Sequence, residues 1–368
     1  MILGALKEKN NKEKRILLSL ETIKKFSKEN LKVLVPEGYG LNSNISDQNL
    51  KDSGAIIETE ENIIKKSDIL LKISLENDDK IDLLKNGANI VLNNFDKNNS
   101  EILKNSESKN INIFSLDFLP RITRAQSMDI LSSQANLAGY QSVVDSSYEF
   151  NRAVPMMMTA AGTVTPAKFF IIGAGVAGLQ AIATAKRLGG VVSATDVRLA
   201  SKEQVESLGG KFVFVEDVEN LETAGGYAKE ASEDFKKKQE ELLKETVKKQ
   251  DIIICTALIP GKKAPRIITE EMVLSMKPGS VICDLAAAQG GNSAFSEPDK
   301  IIEKNGIRII GYTNFASRIS ETASNLLAKN IYNFFDLIYD KENKTIKIDK
   351  EDEIIKGVLM NGDSQWWK

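Results

Sequence analysis

Short apolar runs alternate with charged, amphipathic segments over the first third of the chain. ILGALKE (2–8), LKVLVPE (31–37), AIIETE (55–60), ILLKIS (69–74), ANIVLNNF (88–95) and INIFSLDFL (111–119) predict strands. Between them SLETIKKFSKEN (19–30) predicts a helix capped near Ser19 or Thr22, and DDKIDLLKNG (78–87) another helix. Strands separated by helices argue a parallel sheet covered on both faces.

The pattern restarts at residue 168. KFFIIGAG leads into the helical VAGLQAIATAKRLGG, and the strands VVSATD (191–196), KFVFVE (211–216), DIIICTAL (251–258), SVICDLA (280–286) and GIRIIGYT (306–313) follow. Helices are expected at SKEQVESLGG and TEEMVLSMKPG. The fold expected is α/β, with two doubly wound, Rossmann-like parallel-sheet domains and a ligand cleft between them. Two long helices join them. One starts inside RITRAQSMD (121–129) and ends near Glu149; the other runs from about Glu321 to Asp340, with an apolar stripe of Leu326, Leu327, Ile331, Phe334 and Phe335. The first domain is expected over 1–125 with 325–368, the second over 126–324. Residues 217–250 exceed an ordinary connection. They contain TAGGYAKE and the charged helix FKKKQEELLKETVKK. That segment reads as a solvated insertion or as a mobile loop, about 219–235, that closes on a nucleotide with Tyr227 at its tip.

Composition narrows the chemistry. The chain has 368 residues, 42% of them hydrophobic, and a net charge of −2, so nothing marks it for nucleic acid. It has no run of 18 apolar residues, and its first 15 residues carry charges where a secretory leader needs an apolar core. A cytoplasmic location is expected. Its two cysteines, Cys255 and Cys283, read as small buried hydrophobes. There is no histidine at all. That removes the commonest general base and the commonest metal ligand, so no metal site is expected.

GAGVAG places Gly173, Gly175 and Gly178 in G-x-G-x-x-G spacing, after a strand and before a helix. Asp196 closes the next strand. Gly173 permits the turn, Gly175 lets backbone approach a pyrophosphate, and Gly178 lets helix pack on strand. Asp196 suits the adenosine ribose hydroxyls and favours NAD(H) over NADP(H), although Arg198 nearby suits a 2′-phosphate.

Six longer motifs, RITRAQSMDILSSQANLAGY (121–140), PMMMTAAGTVTPAKFFIIGAGVAG (155–178), TAGGYAKE, TALIPGK (256–262), ITEEMV (268–273) and PGSVICDLAAAQGGN (278–292), occur in order. Together they resemble the NAD(H)-binding component, domain I or alpha subunit, of proton-translocating NAD(P) transhydrogenase, over nearly the whole chain. The resemblance implies that Arg121 and Asp129 hold the nicotinamide, that Ser132 lies near it, and that Gln126 reaches toward NADP(H) on a partner. It also implies that Val176, Asp196, Val197, Arg198, Gly226, Gln239 and Leu258 surround NAD, and that Tyr227 tips the mobile loop. It further implies a homodimer that docks with an NADP(H)-binding beta subunit and with membrane subunits, peripheral to the cytoplasmic membrane. The ending GDSQWWK, without a hydrophobic tail, fits a split-subunit arrangement. The fold relative is alanine dehydrogenase. Its substrate-binding arginine and lysine match Arg15 and Lys72, but its histidine has no counterpart and its catalytic aspartate falls at Ala288. An amino-acid dehydrogenase and a non-catalytic NAD-sensing module stand as alternatives.

RITRAQSMD also carries a plain structural reading. Thr123 and Gln126 have capping-box spacing, and Asp129 suits the early turns of a helix.

Overall fold

The structure, a computed structural model, describes residues 1–76, 79–95, 100–215, 233–259 and 262–361. The chain divides into two compact units, Met1–Gln134 with Ser317–Lys368, and Ala135–Ala316. These limits differ from the expected 1–125 with 325–368. The helix Ile130–Glu149 runs straight through the first boundary, so no turn residue marks it. The return comes just before the helix Ser320–Ile338, which therefore belongs wholly to the first unit.

The first unit is built on six strands: β1 (Ile2–Ala5), β2 (Lys32–Val35), β3 (Ala55–Ile57), β4 (Ile69–Lys72), β5 (Asn89–Leu92) and β6 (Asn112–Ser115). All pair in parallel, in the order β3-β2-β1-β4-β5-β6. This is the doubly wound order, with its reversal between β1 and β4. The helix Leu20–Lys28 starts at a true capping box, Ser19 with Thr22, so both residues named for that start take part. Two segments depart from the expectation. AIIETE is strand only as far as Ile57; Thr59 then caps the helix Glu60–Lys66. The expected helix 78–87 is a single 3-10 turn, Ile81–Leu83, among the described residues. Its only side-chain anchors into the core are Ile81 and Leu84, with Leu83 half-buried, too few for a helical stripe. In the helix Ser320–Ile338, Leu327, Ile331, Phe334 and Phe335 are buried as the stripe predicts, but Leu326 is exposed.

In the second unit the helix Ile130–Glu149 is followed by a hairpin, β7 (Met157–Thr159) with β8 (Gly162–Val164). Its main sheet holds β9 (Lys168–Ile172), β10 (Val191–Thr195), β11 (Lys211–Phe212), β12 (Ile252–Cys255), β13 (Val281–Asp284), β14 (Ile301–Lys304) and β15 (Ile307–Ile310). The order is β11-β10-β9-β12-β13-β15-β14. The same doubly wound sequence recurs, and β14 adds an antiparallel edge beside β15. The central strands β9, β12 and β13 are almost wholly apolar and buried, as parallel strands covered on both faces must be. Cys255 and Cys283 are both buried in this sheet, and neither is in a disulfide. No helix among the described residues is long and apolar enough to cross a membrane.

The helix Val176–Arg187 follows β9 and packs where no side chain fits. A Cβ at Gly178 would lie 1.8 Å from the carbonyl oxygen of Gly173. Gly178→Ala must therefore push helix from strand, and we expect it to cost about 1–3 kcal/mol or more. Urea unfolding would measure this; an unchanged midpoint would show that the helix has room to shift.

Candidate functional site

In the second unit the chemistry gathers at the carboxyl ends of β9, β10 and β12, around the reversal of strand order between β9 and β12. In open parallel sheets this is where a nucleotide binds. Gly173 turns the chain out of β9 with φ +96, a conformation that favours glycine. The turn is clamped from behind. The Thr256 hydroxyl, one residue past β12, shares its proton between the carbonyls of Ile172 and Gly173, at 3.1 and 3.0 Å. Gly175 sits at the helix N-cap with no side-chain cap. A Cβ placed there would meet nothing within 4 Å. The loop backbone thus opens onto free space in front of uncapped helix N–H groups. A dinucleotide's pyrophosphate needs such an arrangement, so these residues fit the cofactor. Val176, the first helical residue, is 43% exposed at this opening.

Asp196 follows β10 directly. Its Oδ2 accepts from the Ala174 amide at 2.7 Å and from Arg198 Nη2 at 3.0 Å; its Oδ1 accepts from the Arg198 amide at 2.8 Å and from Arg198 Nε at 2.9 Å. Burial pushes this carboxyl up, but the Arg198 guanidinium and the two amides outweigh it and hold the group below the usual carboxylate range. Asp196 therefore ties the glycine turn to the end of β10 and stays ionised. A shallow depression open to solvent is lined by Asp196, Val197 and Gln239, with Phe212, Phe214 and Leu242 among its apolar walls. Three of the expected NAD-contacting residues thus share one depression. Gln239 reaches it from the helix Glu233–Val247, the charged helix expected within the long connection. Leu258 is exposed beyond β12. Its loop is fastened by the fully buried Asn292, whose amide donates to the carbonyls of Ala257 and Pro265 and whose oxygen accepts from the Ala257 amide. Gly226 and Tyr227 lie outside the described residues, as does most of the expected loop 219–235.

Sequence reasoning missed Thr256 and Asn292 as functional supports. Both lay inside quoted motifs, TALIPGK and AAAQGGN, but an isolated polar residue at a strand end gives no periodic signal. Asp284 was missed for the same reason. It is fully buried at the end of β13 and holds the following loop through the amides of Ala286 and Ser293 and the Ser296 hydroxyl.

In the first unit RITRAQSMD is not the first turn of the long helix. Thr123–Met128 is a 3-10 helix, and the expected Thr123–Gln126 capping box does not form. The α-helix begins at Ile130, and Asp129 is its capping side chain: Oδ1 accepts from the Ser132 amide at 2.9 Å and Oδ2 from the Ser132 hydroxyl at 2.6 Å. The reason is packing. Ala125 and Met128 are buried, a three-residue spacing that suits the tighter turn. The loop is braced from outside. The Ser127 carbonyl accepts from the Asn330 and Asn333 amides at 2.8 and 2.9 Å, and Arg124 forms a forked pair with Asp352 at 2.7 and 2.8 Å. Arg121 and Gln126 are left exposed on this fixed loop.

The two cations that match a carboxylate-binding pair are already occupied. Arg15 donates to both Glu13 oxygens at 2.8 and 2.6 Å and to the Gln134 oxygen at 3.0 Å. Lys72, with a side chain 2% exposed, donates to Asp79 at 2.6 Å and to the Ser74 carbonyl at 2.9 Å, with Glu8 at 3.9 Å. Ala288 is exposed in the 3-10 turn after β13 and brings no carboxylate. Among the described residues no group of three or more Cys, Asp or Glu side chains could hold a metal.

Comparison with known proteins agrees with this geometry. The family model "Alanine dehydrogenase/PNT, N-terminal domain" matches residues 4–138, and "Alanine dehydrogenase/PNT, C-terminal domain" matches residues 142–367. The chain is 50% identical over 365 residues to the first part of the NAD(P) transhydrogenase alpha subunit of Rhodospirillum rubrum, covering 97% of this chain and 95% of that protein. It resembles the crystal structure of a transhydrogenase from Sinorhizobium meliloti with a TM-score of 0.88 at 45% identity, covering 98% of each chain. An L-alanine dehydrogenase structure shares the fold, with a TM-score of 0.79 at 21% identity over 100% of this chain and 99% of the other.

Glu8 gives the cluster around Lys72 a pH signature. Burial raises its carboxyl from the ordinary 4.5 to about 7, against the pull of the Lys72 ammonium. The folded chain therefore binds this proton more tightly than the unfolded chain. The resulting stability is complete below pH 4.5 and is lost as pH rises through about 7. Glu8→Gln should flatten the fall in unfolding free energy across that interval, measured by urea titration at several pH values. An identical pH slope in both proteins would contradict the assignment.

Proposed function

Since the chain belongs to the alanine dehydrogenase/PNT family, we propose that it works as the NAD(H)-binding alpha subunit of a proton-translocating NAD(P) transhydrogenase. One observation carries this reading over amino-acid oxidation: the groups that oxidation needs are missing or engaged. The chain has no histidine, Ala288 stands where the aspartate would be, and Arg15 and Lys72 are neutralised internally. An alcohol or amine carbon cannot be oxidised without a base for its proton. Exchange between two nicotinamides moves no proton at either carbon and needs only orientation.

When bound, NADH supplies the hydride, which passes to NADP⁺ carried by a beta-subunit partner. The residues of this chain do the holding. Gly173, Gly175 and Gly178 admit the pyrophosphate to the N-terminus of the helix Val176–Arg187. Asp196, Val197, Arg198, Gln239 and Leu258 surround the adenosine half, joined by Gly226. Arg121 donates to the nicotinamide carboxamide, and Asp129 accepts from it while still capping its helix. Ser132 keeps the Asp129 carboxylate oriented. Gln126 projects from the braced 3-10 turn toward the partner's nucleotide, and Tyr227 closes over the site. The role of the fixed loop is to set which face of the ring is presented. No metal takes part.

The partner subunits include the membrane components that couple transfer to proton movement, which places this chain peripherally on the cytoplasmic side of the membrane. A homodimer completes the arrangement. Its support on this chain is the β7–β8 hairpin, where Met156, Met157 and Met158 are exposed to 61%, 41% and 83%. Such an apolar cluster on a hairpin marks a contact surface.

The chain alone should not oxidise alanine, and hydride transfer from NADH to an NADP⁺ analogue should start only when an NADP(H)-binding partner is added. Alanine turnover by the chain alone would overturn the reading. Gln126→Ala should slow transfer by about tenfold or more with little change in NADH affinity, in line with loss of one positioning hydrogen bond; transfer at the parent rate would leave Gln126 without a role. Met158→Asp should shift the sedimenting species from dimer to monomer, and a parent protein that sediments as a monomer at micromolar concentration would rule the dimer out.

A further inference from the structure

We propose that Gly139, in the helix Ile130–Glu149, is a positioning residue for the dinucleotide: its bare backbone holds the first turn of the helix Val176–Arg187 where the pyrophosphate docks. The proposal rests on the NAD(H) reading above and adds to it a residue outside the glycine loop.

A glycine inside a helix costs about 1 kcal/mol against alanine, so Gly139 needs a reason to be there. It belongs to the motif RITRAQSMDILSSQANLAGY, yet neither helix capping nor nicotinamide holding uses it. The reason is contact. Gly139 and the helix Val176–Arg187 both lie in the second unit. A Cβ on Gly139 would stand 2.0 Å from the Ala177 carbonyl oxygen, 2.8 Å from its carbonyl carbon and 2.9 Å from its Cα. All three are backbone atoms, so no side chain can swing aside. The contact continues to either side of the glycine. Asn136 Nδ2 donates to Gln180 Oε1 at 3.3 Å, and the buried Val143 shares a core with Ala181, Ile182 and Ala185. Asn136, Gly139 and Val143 are spaced by three and four residues and so form one helix face. The Ser142 hydroxyl donates back to the Gly139 carbonyl at 2.8 Å, which steadies the glycine's own turn.

Ala177 is the second residue of a helical turn whose amides have no side-chain cap. Its carbonyl shares one rigid peptide plane with the Gly178 amide. A carbon needs about 3.3 Å from a carbonyl oxygen, so a methyl group at position 139 must move that plane by about 1 Å or more. The Gly178 amide moves with it. The same turn is closed against the Gly173 carbonyl at Gly178, so it has little room to yield. Backbone at Gly139 and backbone at Gly173 together grip the turn. An anion at a helix N-terminus is bound through amides aimed at it. Displacement of the turn therefore falls on the phosphates and spares the adenosine groups around Asp196.

The test compares NADH, read by its fluorescence, with adenosine, read by ligand-observed NMR, on the full chain. Adenosine carries no phosphate, so it reports on everything except the gripped turn. Gly139→Ala should weaken NADH by about tenfold or more, the scale of one hydrogen bond to a charged group, and leave adenosine within about twofold. At an ordinary helix position the same methyl group would stabilise the fold and change neither ligand. Equal loss of both ligands would make Gly139 a structural residue only and overturn the proposal. So would unchanged NADH affinity in the folded variant, since the two helices would then part freely. Should Gly139→Ala fail to fold, Val143→Ala loosens the same helix face without overpacking it. That variant should weaken NADH by about threefold with adenosine unchanged, and the lack of a selective loss would count against Gly139 in the same way. A parent chain that binds neither ligand removes the NAD(H) reading and this proposal together. A parent that binds both, with variants that lose neither, removes the proposal alone.

Discussion

The approach of a helix to a strand end, with no side chain between them, governs the second unit. Gly178 meets the Gly173 carbonyl, and Gly173 itself needs its left-handed backbone to turn out of β9. Three groups at the carboxyl end of β9 depend on that contact. It aims the uncapped helix N–H groups, it puts Ala174 where Asp196 can accept from its amide, and it brings the Thr256 hydroxyl under the turn. A single added methyl group would disturb all three at once. The site is thus specified by what is missing from the sequence as much as by what is present, because interiors packed to crystal density leave no slack to absorb a Cβ.

Charges in both units are satisfied internally. Lys72 and Arg15 are held by Asp79, Glu13 and backbone, and Arg198 is held by Asp196. The consequences differ because the surroundings differ. Lys72 is almost completely buried, so a ligand would have to replace Asp79 inside the protein and leave an unpaired carboxylate behind, a costly exchange. Arg198 is half-buried, and its partner Asp196 lines a depression open to solvent, where water can compensate. The first pair is shut off from exchange, and the second is open to it. Burial, more than the identity of the ion pair, decides between them.

The repeated doubly wound architecture was legible from alternating apolar runs, and the glycine spacing with Asp196 marked a turn that lies at the strand-order reversal of the second sheet. What periodicity could not show were single side chains that lock backbone, such as Thr256, Asn292 and Asp284. It also misjudged segments where anchors are few. Among its described residues the run 78–87 buries Ile81 and Leu84 and half-buries Leu83, and it closes as one 3-10 turn. Leu326 continues the apolar stripe in sequence, yet its side of the helix is exposed, since stripe membership predicts a direction and not the presence of a neighbour. The unit boundary was invisible because a regular helix passes through it.

In RITRAQSMD the located side chains exclude the capping box and leave the proposed positioning role standing. The capping-box reading required Gln126 to fold back on the backbone. Instead the cap is Asp129, and the loop before it is pinned by Asn330, Asn333 and Asp352. A loop held only to start a helix would not need three outside braces, since one cap contributes about 1 kcal/mol and suffices. The braces fix the backbone while Arg121 and Gln126 remain exposed upon it. Rigid backbone beneath outward polar side chains is what a positioning site requires, and it is more than a helix start requires. Transfer between two nicotinamides depends on distance and orientation alone, so the work falls on elements that cannot move.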